Sequence, residues 1–550
     1  MGGVRGDGEG GKRGWGCEGR RGGRPAGREG REGEGRGGRT DWSQGYTVIG
    51  SVGRPSLGKD DTEEFEAIPA RGRRSGRRSL KAQLDRGGNE RLSQGTLSTS
   101  DIMSSTMTNI APAMSFYFSF AFIAGTSGLA SPVVIVMAAV AIAILGHTLA
   151  EFSRSTPSAG SFATFVGKTF GPVAGIATSL TVSAGYMIAI SAVIVMSGAW
   201  IEIMLRRYLH FSVSWEIFAV VFVAGAGYIM YRGAKVSTKL ATILLGAELA
   251  ILLVISVAVL IEHHRAMTLQ PFNPFKLSGG LSGLSLGFPL AIFMFVGWEN
   301  SAALAEETAD PRRNVPRAIY TSIAIMALTY VVLGYATVVG FGNDVSALAS
   351  SPVPFLAAAH GVNGLLLLLA YLAGLTSVVG SLLSGANSQS RIIFSSGREG
   401  MLPGLAAQVS TRYRSPWSSI VIFLGVALAI SLAFGARSDP VVFFGEIATL
   451  ATILVALIYL VSNLALPFYY RRYHPEHFRI LRHLLLPFLG VLCIAFPLYE
   501  LVKPGQAAPF VYYPFIALAI VAISLAYALY LSRKKPGLQE KIGSFVADSD

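Results

Sequence analysis

The chain has 550 residues, of which 51% are hydrophobic and only 14% charged. An ordinary soluble domain carries about 25% charged residues, so this apolar excess suits lipid rather than water as the solvent. The formal net charge of +13 sits in the N-terminal tail and in alternate loops, a distribution that points to a membrane surface rather than a nucleic-acid partner. The two cysteines, Cys17 in a polar tail and Cys493 in an apolar stretch, cannot build a thiol-rich metal site. The eight histidines show no metal-ligand spacing, and no cofactor motif is present.

Residues 1–95 read as a disordered Gly/Arg-rich cytoplasmic tail, with almost no apolar residue to form a core. A nucleic-acid arm or an anionic-lipid tether is the alternative reading of its charge. The first forty residues also resemble translated GC-rich non-coding sequence. No short apolar core with a small-residue cleavage site marks a secretory signal.

From Asp101 onward, apolar stretches long enough to cross roughly 30 Å of hydrocarbon recur about twelve times. The pattern predicts an all-α integral membrane domain over 96–535, followed by a cytoplasmic tail at 536–550. Predicted spans lie near 102–127, 131–152, 172–201, 214–231, 237–262 and 284–306, then 317–341, 355–386, 416–435, 440–468, 482–502 and 511–532. Lys and Arg gather in alternate loops, among them Arg154 and Lys168, Arg312 and Arg313, Arg391 and Arg398, and Arg471 and Arg472. The positive-inside rule therefore puts both termini in the cytoplasm of a multi-pass cell-membrane protein in contact with membrane lipid. Arg206 and Arg207 fall on the wrong side.

Two spans contain residues that an unbroken lipid-facing helix avoids. The first holds Asn109-Ile110-Ala111-Pro112-Ala113-Met114-Ser115, and the sixth holds Phe293-Met294-Phe295-Val296-Gly297-Trp298-Glu299-Asn300. Proline removes a backbone donor, and a buried carboxylate costs at least a few kcal/mol unless it meets water, a partner or a proton. The two spans are five apart, the spacing of a five-plus-five inverted repeat whose site is formed by broken helices 1 and 6. Two ordinary kinked membrane helices would give the same local pattern. The rival classes are a membrane enzyme, for which no catalytic constellation appears, a channel, and a sensor of substrate occupancy.

The stretch Phe295-Val-Gly-Trp-Glu-Asn-Ser-Ala-Ala-Leu-Ala-Glu-Glu-Thr-Ala-Asp-Pro-Arg-Arg-Asn-Val-Pro-Arg-Ala-Ile319 resembles the signature of the amino acid–polyamine–organocation superfamily. Residues 157–167 and 388–403 resemble two further segments of that family, and the resemblance covers about residues 95–535. It implies a non-enzymatic permease that carries amino acids or related amines by alternating access, with proton symport as the expected coupling. A sodium ion in place of the proton, and exchange in place of uptake, are the alternatives. The resemblance implies substrate contacts from Ala111, Pro112, Ala113, Met114 and Ser115, and from Phe295, Val296, Gly297 and Trp298, with Phe293 as an aromatic gate. Tyr186 in the third span, and Ser384, Asn387 and Gln389 near the end of the eighth, flank the site in this fold.

Two departures stand out. The family's glycine-rich span-one motif is Ala-Pro-Ala-Met-Ser here, and Glu248 stands where several members carry a lysine. Glu248 and Glu299 are the candidate coupling groups, since burial penalises their charge and a proton removes it. His147 is a further titratable residue within a span.

Overall fold

The computed structural model describes residue 92 and residues 94–538, so nearly all of the predicted N-terminal tail and most of the C-terminal tail lie outside the described residues. Among the described residues the elements are helices, with no strand. Spans one to five comprise α1 (Thr99–Ile110) with α2 (Pro112–Ser127), then α3 (Ser131–Ser155). After the short α4 (Ser161–Phe170) come α5 (Pro172–Leu209), α6 (Trp215–Tyr231) and α7 (Ala234–Glu262). Span six is α8 (Leu281–Phe293) with α9 (Asn300–Ala303), and span seven is α10 (Pro311–Gly340). Two short helices, α11 (Val345–Ser350) and α12 (Pro354–Val362), precede spans eight to twelve: α13 (Gly364–Arg398), α14 (Trp417–Phe434), α15 (Pro440–Tyr473), α16 (Leu486–Val502) and α17 (Tyr513–Lys534).

By length and hydropathy alone, nine stretches among the described residues qualify as membrane-crossing. One of these, Thr99–Ser155, has 57 residues. At 1.5 Å per residue it would be about 85 Å long, nearly three hydrocarbon thicknesses, so it holds two crossings. Adding the shorter apolar helix Trp215–Tyr231 and the broken span six accounts for all twelve predicted spans.

Helix packing reproduces the five-span offset. Span two packs on span seven and span three on span eight, pairs that map onto themselves when spans one to five are exchanged with spans six to ten. The extensive contact of span three with span ten has its counterpart in that of span eight with span five. Five is odd, so the second copy enters the membrane from the opposite side, which is the topology of an inverted repeat.

Local chemistry sets the helix ends. Ser98 and Asp101 form a reciprocal capping box at the start of α1. Span eight departs from its predicted limits: it begins at Gly364, where the Asn363 side chain accepts from Leu366 N–H at 2.9 Å, and continues to Arg398. Residues 355–362 belong to the separate α12. Arg391 and Arg398 therefore lie within a helix instead of a loop. Arg206 and Arg207 sit on an extension of α5 past the apolar stretch, where Arg206 meets Glu202 at 2.6 Å and Arg207 lies over the Tyr371 ring.

Small residues allow the closest approaches. A methyl group on Gly198 would lie 2.1 Å from the Trp215 carbonyl oxygen, whereas one on Gly225 would meet nothing within 4 Å. Backbone cannot yield as a flexible side chain can, so Gly198→Ala is expected to destabilise the protein by about 1–3 kcal/mol, an overpacking penalty. Gly225→Ala should leave the thermal midpoint of the detergent-purified protein unchanged or slightly raised.

Candidate functional site

The two broken spans meet at a small cavity. Span one breaks at Ala111, a non-glycine residue in the left-handed region with φ 56°, and Pro112 opens the second half-helix. Proline suits that first helical position because its missing N–H would have no intrahelical partner. Span six breaks between Phe293 and Asn300, with Gly297 at φ 107°. Glycine is required there twice over: a Cβ would be strained at that φ and would lie 2.8 Å from Asn109 Nδ2. Asn109 Nδ2 in turn reaches the Gly297 carbonyl at 3.4 Å and ties one break to the other. A second tie joins Thr106 and Ser301 through their hydroxyls at 2.5 Å.

The cavity has a volume of about 80 Å³ and is lined by Asn109, Ile110, Ala111, Met114 and Ser115 of span one and Phe293, Val296 and Gly297 of span six. Tyr186, Ala189, Ile190 and Val193 of span three face it, as do Val378 and Ser381 of span eight and Phe444 and Ala448 of span ten. Ligand pockets usually enclose 300 Å³ or more, so this is a contracted state of the site. Its polar wall is rich in acceptors. The carbonyls of Asn109 and Ile110, at the end of α1, take hydrogen bonds from Ser381 Oγ at 3.1 Å and Ser115 Oγ at 2.6 Å. Each carbonyl oxygen has two lone pairs, so each retains capacity for another donor. The Tyr186 hydroxyl is buried without a partner.

Several residues implied by the resemblance do not line the cavity. Phe295 packs edge-on against Tyr330 at 5.2 Å, and Trp298 against Tyr459 at 5.4 Å, which turns both rings into the helix bundle. Pro112 and Ala113 are buried behind the wall, on the far side of the turn that presents Ala111 and Met114. Glu248 lies behind the break, fully buried, with Oε1 accepting from Ala113 N–H at 2.7 Å. Glu299 Oε2 accepts from Gly297 N–H at 3.2 Å and from the Tyr459 hydroxyl at 2.8 Å. The remaining oxygens, Glu248 Oε2 and Glu299 Oε1, have no hydrogen-bond partner. Ser384 bonds the Ser105 carbonyl at 2.5 Å, Asn387 bonds Arg391, and Gln389 is buried away from the cavity. Both ring nitrogens of His147 are engaged, with the Tyr320 hydroxyl and the Arg482 carbonyl, as a packing contact between spans.

Sequence reasoning selected Tyr186 but missed its helical neighbours at three, four and seven positions on, Ala189, Ile190 and Val193. The 3.6-residue period applied from Tyr186 would have found them. It also missed the partners of the two signature glutamates: Glu307 pairs with Arg391, and Glu306 makes a two-pronged contact with Arg398 at 2.6 and 2.9 Å.

Two broken spans that face a cavity at the interface of inverted repeats form the arrangement in which secondary transporters place their sites. The sequence profile of the amino acid permease family matches residues 95–525, and the chain belongs to that family. It is 27% identical over 321 residues to the branched-chain amino acid permease BcaP of Bacillus subtilis, covering 54% of this chain and 66% of that protein. To the methylthioribose transporter of the same organism it is 26% identical over 360 residues, covering 62% and 73%. To the human Asc-type amino acid transporter 1 it is 32% identical over 197 residues, covering 34% and 36%. The first of these relatives is thus matched over just under two thirds of its length. The names of the family and of these relatives are those of transporters, not enzymes.

Two substitutions probe this construction. Arg391 is 1% exposed, and removing one member of a buried ion pair costs about 3–5 kcal/mol because the other charge is stranded. Arg391→Leu is expected to abolish recovery of folded protein on size exclusion, and adding Glu307→Gln should restore part of it. Tyr186→Phe removes a hydroxyl that bonds nothing in the folded chain, so thermal stability should hold. Substrate affinity should fall by several-fold, the loss of about 1 kcal/mol, in a direct binding assay.

Proposed function

We propose that the chain is a secondary active transporter that carries amino acids or related amines across the cell membrane by alternating access, coupled to proton symport. Both termini lie in the cytoplasm on this reading. The observation that carries it is the small cavity between the breaks at Ala111 and Gly297, lined by spans one, three, six, eight and ten. A contracted site flanked by half-helices is what alternating access needs, since substrate must be released from one side before the other opens. Membership of a family whose relatives are named for amino acids supports the substrate class. The methylthioribose relative, named for a thio-sugar without a carboxylate, supports a broader range of small polar cargo.

The coupling assignment rests on Glu248 and Glu299. Both carboxylates are buried beside the two breaks, and each has one oxygen with no partner. A buried charge without a counter-ion costs several kcal/mol, and a bound proton relieves that cost. Each break is therefore linked by one hydrogen bond to a carboxylate whose protonation changes what it can accept: Ala113 N–H to Glu248, and Gly297 N–H to Glu299. The titration of either group is sensed directly by the backbone that shapes the cavity.

Uptake of labelled amino acids and amines into proteoliposomes tests the proposal. An inward proton gradient should drive accumulation at least tenfold above equilibration, and Glu248→Gln or Glu299→Gln should abolish the accumulation while counterflow persists. Accumulation that follows sodium instead, or that survives both substitutions, would remove proton symport through these residues.

A further inference from the structure

We propose that Glu248 occupies, from within the chain, the backbone station that would otherwise take a substrate carboxylate, and that the transporter therefore selects small amines lacking a free α-carboxylate. This rests on the reading under Proposed function and narrows its substrate class.

The N-terminus of a half-helix in a membrane is a ready anion site, because its first amides point outward with no intrahelical acceptor. In α2 every one of those amides is satisfied by the protein. The N–H of Ala111 donates back to the Thr108 carbonyl at 3.1 Å, and Pro112 has no N–H. Ala113 N–H donates to Glu248 Oε1 at 2.7 Å, and Met114 N–H to Ser377 Oγ at 3.3 Å. Ser115 N–H closes the first helical bond to Ala111 at 2.9 Å. The Glu248 carboxyl group already holds the amide at the positive end of the half-helix dipole, so an arriving carboxylate finds no free donor there.

The rest of the wall offers an anion no positive charge and no free backbone amide, only the Tyr186 hydroxyl as an unpartnered donor. The cavity lining contains no lysine, arginine or histidine, and its polar side chains are Asn109, Ser115, Tyr186 and Ser381. Gly297 N–H, the exposed amide of the other break, is held by Glu299. For an ammonium group the same wall is favourable. The carbonyls of Asn109 and Ile110 lie at the negative end of α1 with lone pairs to spare, and the Tyr186 hydroxyl, 4% exposed, has no partner and borders the cavity. The site therefore favours the amine end of an amino acid over its acid end. Phe293, Val296, Ile190 and Val193 supply an apolar wall for an alkyl or thioether tail.

The test compares matched pairs that differ only by the carboxylate: alanine with ethylamine, leucine with 3-methylbutylamine, phenylalanine with phenethylamine. Equilibrium binding to the full chain in lipid nanodiscs is read by competition and by thermal stabilisation, so that a coupling defect cannot mask the result. The amine of at least one pair should bind tenfold or more tighter than its amino acid. Glu248→Gln keeps an oxygen that can accept from Ala113 N–H and should preserve the preference. Glu248→Ala uncovers that amide and should narrow the preference by tenfold or more through a gain in amino acid binding. Should the wild-type chain bind an amino acid as tightly as its amine, Glu248 yields the station to substrate and the proposal is wrong. Unaltered selectivity in a folded Glu248→Ala protein would equally overturn it. Absence of binding by every member of every pair would overturn the transporter reading beneath it, a result distinguishable from an inverted preference.

Discussion

In the hydrocarbon core of a membrane no water satisfies a free peptide group, so each interruption of a helix must be repaired by the protein itself. That constraint organises this molecule. The breaks at Ala111 and Gly297 release backbone donors and acceptors at mid-span; the surrounding spans supply Glu248, Ser377, Ser381 and Tyr330 to meet them, and span six supplies its own Glu299. What looks like a collection of buried polar side chains is a repair set for two interrupted helices. The cavity exists where the repair leaves acceptors with capacity to spare.

The repair set also links parts of the bundle that are distant in sequence. Span five reaches the break in span one through Glu248, span eight reaches it through Ser377 and Ser381, and span ten reaches the break in span six through Tyr459. Spans five and ten are equivalent under the five-span offset, and each directs a polar side chain at the break of its own repeat. The inverted repeat is therefore visible in hydrogen-bond chemistry as well as in helix packing. Movement of either broken helix must exchange these bonds for others, which makes the site and the bundle a single mechanical system.

Hydrophobic run length is a property of composition, so the twelve spans and the two interruptions were legible before any coordinates. Pro112 and Gly297 announced the breaks because their backbone chemistry is local. The direction of the aromatic side chains was not legible: Phe293 faces the cavity while Phe295 and Trp298 turn into the bundle, a choice set by Tyr330 and Tyr459 more than thirty and one hundred and sixty positions away. Glu248 was found as a buried carboxylate, yet its contact with Ala113 spans 135 positions and has no sequence signature. Arg391 and Arg398 were read as loop charges marking one membrane face. Helix α13 in fact carries them into buried pairs with Glu307 and Glu306, a misreading that arises because positive-inside counting cannot tell a solvated arginine from a paired one.

Those two pairs have a further consequence for how the protein meets its surroundings. Mobile ions screen exposed charges within about 8–10 Å at physiological ionic strength, but they do not enter a desolvated contact. Arg391 and Glu307 are each nearly inaccessible, and Arg398 is similarly enclosed. The clasp they form between the loop after span six and the end of span eight is thus indifferent to the salinity of the compartment it faces. Its strength follows from fit alone, and it yields to a helix displacement that pulls the guanidinium planes out of register rather than to a change in the medium.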